Sequence, residues 1–220
     1  MLYPLIMTSL AGLATLIGII PIFVKIKNKD YIIASACTFA SGVMICISIF
    51  DLIPESIRYL SSNFNSLFVI LLCFIFMVIG IIISMMLDSY IDKISNSGSL
   101  FKVGILSMIA IILHNIPEGI SIAVPIYYST KDKKKAIFYT FLAGLSEPIG
   151  AVLTGLFLIN YVNDIVLGLL FAFIAGVMIQ IGAGKLLPTG NGYNKRISWI
   201  FFVVGFIVML FSLYLNTVLG

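Results

Sequence analysis

Long apolar runs separated by brief polar stretches dominate the chain. Seven runs, roughly 2–24, 31–53, 64–87, 101–128, 136–160, 164–187 and 197–219, are each long enough to cross a bilayer, for which about 20 residues suffice. In lipid, backbone N–H and C=O groups find no water, so each crossing run is expected to be helical. The connections Lys25–Asp30, Pro54–Asn63, Asp88–Lys102, Ser129–Lys135, Tyr161–Asn163 and Pro188–Arg196 are polar and short. None is long enough to separate a pair of domains. The pattern predicts an all-α polytopic membrane helix bundle of about seven apolar helices, a single transmembrane domain over residues 1–220.

Within the runs, small residues recur at close spacing, as at Gly12/Gly18, Gly144/Gly150/Gly155 and Gly176/Gly182. Such spacing suits tight helix contacts in a bundle. Trp199 and several tyrosines lie near run ends, where interfacial aromatics are expected. An internal repeat is also visible. Residues 39–54 read FASGVMICISIFDLIP and residues 173–188 read FIAGVMIQIGAGKLLP. A constant offset of 134 aligns Gly42 with Gly176, Asp51 with Lys185 and Pro54 with Pro188. Two similar apolar helices arising by chance is one account. A pseudo-two-fold repeat with substrate bound between its halves, common in secondary transporters, is the other.

Composition agrees with a membrane protein. Hydrophobic residues make up 61% of the chain and charged residues 10%, against about 25% charged in soluble domains. The net charge of +4 resides mostly in short loops, so it reports on topology and not on a nucleic-acid partner. Cys37, Cys46 and Cys73 lie inside apolar runs at unrelated spacings and read as small packing residues. The charges pose one conflict. Lys25, Lys27 and Lys29 put the first loop in the cytoplasm. If all seven runs crossed, Lys131, Lys133, Lys134 and Lys135 would lie outside, as would Lys195 and Arg196, and the two repeats would be parallel. Changing the number of crossings between the second and sixth runs by one removes both problems. Either the run 101–128 enters and returns without crossing, or a helix is missing.

Ionisable residues inside spans are expensive and mark candidate sites. His114-Asn115-Ile116-Pro117-Glu118-Gly119 is the strongest local signal. His114 and Glu118 are one helical turn apart on one face. A neutral imidazole nitrogen and a carboxylate suit a borderline divalent cation such as Zn²⁺. Asn115 adds a carbonyl oxygen on an adjacent face. Pro117 removes a backbone hydrogen bond near the ligands. A packed, hydrogen-bonded histidine is the structural alternative. Glu147, beside Pro148, is the expected ligand from a second helix; its alternative is a protonated glutamic acid bonded to a neighbouring helix. Asp51 and Glu55 could line a metal entrance or mark the water interface. Lys185 either snorkels to the interface or pairs with Asp51.

At these residues the chain resembles the ZIP (Zrt/Irt-like) family of metal transporters, in particular its bacterial GufA-like branch. HNIPEG at 114–119 followed by SIAVPIYYS, GLSEPIGA at 144–151, ASGVMICISIFDLIPES at 40–56 and AGVMIQIGAGKLLP at 175–188 carry the likeness. The resemblance implies an eight-helix bundle with inverted repeats. It also implies metal ligands at His114, Asn115, Glu118 and Glu147, and a pathway carboxylate at Asp51. Two departures stand out. The family has two consecutive HNxPEG-like helices where this chain has one, so about one helix-plus-loop unit is absent. Lys185 stands where the family usually has an acidic residue.

The function so implied is transport of a divalent metal ion, zinc first and also Fe²⁺, Mn²⁺ or Cd²⁺, by alternating access across a bacterial plasma membrane. The cation is substrate, no organic cofactor is expected, and the partners are metal ions, the lipid bilayer and, as an open arrangement, a second copy in a homodimer. A transport-inactive or regulatory ZIP-like remnant with an incomplete metal site is the alternative. An intramembrane metal hydrolase needs three protein ligands and an activated water, which one histidine serves poorly. No Walker motif supports a nucleotide-driven pump. An enzyme is therefore not expected.

Overall fold

The computed structural model describes residues 9, 12–13, 15–23, 29–94, 115–153, 156 and 163–219. Among these the chain is helical and holds no strand. The N-terminal segment is helical at residues 12–13 and 15–17 and ends in a 3₁₀ turn, Ile20–Ile22. Helix α1 (Lys29–Ile47) passes through a π turn (Ser48–Leu52) into α2 (Ile53–Ser61). After a short turn comes α3 (Ser66–Ile94). Then follow α4 (Asn115–Thr130), α5 (Lys133–Leu153) and α6 (Asp164–Ile181). A second π turn (Gly182–Leu186) leads into α7 (Leu187–Leu219). Among the described residues, three stretches are long and apolar enough to cross a membrane: Lys29–Ser61, Ser66–Leu87 and Asp164–Tyr214. Leu67, Ile70, Phe74 and Phe211 lie exposed along α3 and α7, as side chains facing lipid do.

Two expected connections turn out to be helix. Residues 54–61 continue α1 as α2, and α7 carries on through Pro188 to a break at Asn194, whose backbone is extended (φ −159°, ψ 100°). The prolines are tolerated for a shared reason. Each follows closely on a π turn, where the regular i→i−4 hydrogen-bond ladder is already interrupted. A residue without an N–H therefore loses little there. At Asn194 the side chain accepts from the Ile197 N–H at 3.1 Å, capping the helix that restarts beyond the break.

The repeat is real in three dimensions. The two π turns, 48–52 and 182–186, are separated by the same offset of 134 that aligns the sequences. Helix contacts repeat as well. A Cβ on Gly42 would collide with the Phe202 carbonyl oxygen, and one on Gly176 with that of Met77. A Cβ on Gly205 would strike the Phe39 carbonyl oxygen, and one on Gly80 that of Phe173. Phe39 and Phe173, like Gly42 and Gly176, are repeat equivalents. The α1–α7 crossing is thus the counterpart of the α6–α3 crossing. Replacing either Gly42 or Gly176 by Val should destabilise the bundle by about 1–3 kcal/mol through overpacking. Thermal unfolding in detergent should show similar losses for both; one silent substitution would break the equivalence.

The two halves are inverted. Gly190 backs onto Thr38 and Ala34, the Ser41 hydroxyl donates to the Gly182 carbonyl at 2.9 Å, and the Ser56 hydroxyl donates to the Gly168 carbonyl at 2.7 Å. As one number rises the other falls, so the equivalent helices run antiparallel. That ladder also resolves the charge conflict. Lys195 and Arg196 come level with the start of α1, where Tyr31 meets Phe201 edge-on with ring centroids 5.9 Å apart. The Lys133 ammonium sits 4.5 Å from the centre of the Phe23 ring, six residues before Lys29. Lys29, the 131–135 loop and Lys195–Arg196 therefore share one end. Helix α4 runs toward that basic end. The part of the run 101–128 before residue 115 lies outside the described residues, and with it the choice between a run that enters and returns and a missing helix.

Candidate metal centre

Three helical elements meet glycine to glycine. A Cβ on Gly12 would collide with the Gly144 carbonyl oxygen of α5, and one on Gly144 with that of Gly12. A Cβ on Gly119 of α4 would strike the Thr15 carbonyl oxygen, and one on Gly18 the backbone of Gly119 and Ile120. The N-terminal segment is therefore wedged against both α4 and α5 with no side chain between the backbones. Pro148 lies inside α5 and has no N–H, so the Gly144 carbonyl lacks its regular helical partner. That carbonyl is the one lying against Gly12.

Glu147 is one turn beyond Gly144 and half-buried. Its Oε1 accepts from the hydroxyl of Thr15 at 3.4 Å. Thr15 is fully buried. Glu118 is the residue before Gly119, so its backbone position adjoins the same seam. The structure thus gathers the Glu147 helix and the HNIPEG helix around Thr15. His114 lies outside the described residues, and of Asn115 and Glu118 only the helical backbone is described. Among the described residues, no three His, Cys, Asp or Glu side chains gather as a metal cluster.

Asp51 is half-buried in the first π turn. It does not pair with Lys185. By the Ser56–Gly168 contact, Asp51 is level with about residue 173, which puts Lys185 roughly 18 Å further along at 1.5 Å per residue. Lys185 lies toward the basic end and Asp51 toward the other. Glu55 accepts from the Arg58 Nε at 3.0 Å at the exposed end of α2. That is an interface ion pair, worth about 0–1 kcal/mol. Cys37, Cys46 and Cys73 are free and buried, as packing residues. Thr15 is not among the residues that the sequence pattern selects. Its one signal is a hydroxyl in an apolar run between two glycines of a helix-packing spacing.

The family model for the ZIP zinc transporters matches residues 98–213. The chain is 32% identical to a zinc transporter ZupT of Clostridium perfringens, over 96% of this chain and 94% of the relative. It is also 32% identical to a zinc transporter ZupT of Streptococcus mutans, over 96% of each. A ZupT of Oceanobacillus iheyensis is 29% identical over 263 aligned positions, covering 98% of each chain. Since this chain has 220 residues, at least 43 of those 263 positions have no counterpart in it.

Proposed function

The chain belongs to the ZIP zinc transporter family, and from that premise we propose that it carries a divalent cation, zinc first, through an intramembrane site between α4 and α5. In this reading His114, Asn115 and Glu118 supply ligands from α4, Glu147 supplies one from α5, and Asp51 is a carboxylate on the pathway. The observation that carries the reading is the glycine seam, which brings Glu147 against Thr15 beside the HNIPEG helix. An imidazole and carboxylates suit zinc; Fe²⁺, Mn²⁺ and Cd²⁺ are weaker candidates on the same donors. The inverted repeat suits alternating access about a midplane site, because two antiparallel halves can exchange inward and outward conformations. The shared basic end fits a cytoplasmic face in the plasma membrane. A homodimer is compatible with the exposed apolar faces of α3 and α7.

The test is zinc uptake into proteoliposomes containing the purified chain, beside the Glu118→Ala variant. Saturable uptake that the substitution abolishes is expected. The 43 or more positions without counterpart, together with the single HNxPEG motif, favour a second reading, a transport-inactive relative with a reduced metal site. Folded protein that binds zinc but moves none above empty vesicles would select that reading.

A further inference from the structure

Resting on the assignment of Glu147 as a metal ligand, we propose that Thr15 is a positioning residue that presents the Glu147 carboxylate to the cation. Two independent contacts converge on it. Its hydroxyl donates to Glu147 Oε1, and its backbone carbonyl lies under Gly119, the residue after Glu118. One residue of the N-terminal segment thus touches both ligand-bearing helices.

The physical consequence follows from the carboxylate's two oxygens. A glutamate side chain has three rotatable bonds and, unheld, samples many rotamers. A hydroxyl donor on Oε1 selects one arrangement and leaves Oε2 for a cation. Thr15 is well suited to hold that donor still. It is β-branched, which narrows χ1 to two main rotamers in a helix, and it is fully buried. The segment that carries it is clamped by Gly12 against Gly144 and by Gly18 against Gly119, so neither helix can slide past it freely. Partners that orient metal ligands commonly matter by about 10–100-fold in metal affinity.

The experiment is titration of the purified full chain in detergent with Zn²⁺ alone, read as a dissociation constant and so independent of transport. Thr15→Val keeps the branched shape and removes the hydroxyl; it should weaken zinc binding by about tenfold or more. Thr15→Ser keeps the hydroxyl and should restore most of the affinity. In a Glu147→Gln background, Thr15→Val should add no further loss. Equal weakening by Val and Ser, or a Val variant that binds normally while Glu147→Gln does not, would overturn the role of Thr15. Normal binding by Glu147→Gln itself would instead remove Glu147 from the site. If Thr15→Val fails to fold, Thr15→Ala in the same titration decides the matter by the same outcomes.

Discussion

Substitution of Gly119 by Val is expected to abolish zinc uptake while leaving the chain helical. The Cβ alone would overlap the Thr15 carbonyl oxygen, and the branched methyl groups have nowhere to go but between α4 and the N-terminal segment. Backbone cannot yield as a flexible side chain can, so the helices must move apart. A separation of even an ångström moves the Glu118 position away from Glu147, and a metal site tolerates little such loosening. Overpacking of this kind costs about 1–3 kcal/mol, which a bundle of this size should survive as a fold. The expected result is therefore an intact circular dichroism spectrum with zinc binding and uptake both lost. A Gly119→Val variant with normal zinc affinity would show that the seam does not set the site.

Acid pH should weaken zinc binding steeply. An imidazole binds metal only when neutral and a carboxylate only when ionised, so each bound ligand excludes a proton. The sign is fixed by that competition: affinity is full above the ligands' protonation range and falls as pH drops through it. For each proton displaced, affinity should fall about tenfold per pH unit once the ligand is protonated in the free protein. With His114 in the site, part of the decline belongs to its imidazole, which must be neutral to bind. The check is zinc titration from pH 8 to pH 5 for the natural chain and for His114→Ala. The variant should bind more weakly at pH 8 and should show a shallower decline with acid, because one proton-competing ligand is gone. An unchanged slope would take His114 out of the coordination shell.

The single HNxPEG motif bears on both results. The relatives extend over positions this chain lacks. A chain with fewer residues has fewer donors to spare. Each remaining ligand, and each residue that orients one, should then matter more than it would in a fully furnished site.

Much of this was legible in the order of residues. Apolar length determined that the chain is helical and spans lipid, because an unpaired backbone has no other refuge there. The 134-residue repeat was readable because the same packing surface, Phe39-Gly42 and Phe173-Gly176, is needed twice. Loop lysines demanded that one crossing be added or removed, since positive loops stay on one face. Other features were beyond sequence reading. Pro54 and Pro188 look like helix ends, and only the π turns ahead of them show why the helices continue. The antiparallel relation of the halves emerged from Ser41 on Gly182 and Ser56 on Gly168, contacts more than a hundred residues apart. That relation separates Asp51 from Lys185, which an aligned repeat alone makes look like partners.

The site divides in the same way. Sequence by itself determined which side chains have metal chemistry, because histidine and glutamate in an apolar run are costly and their types define what they can bind. Only the tertiary structure decided which helices share a seam, because that depends on where backbones can touch. Gly12, Gly18, Gly119 and Gly144 permit that touch, and it sets the hydroxyl of Thr15 against Glu147.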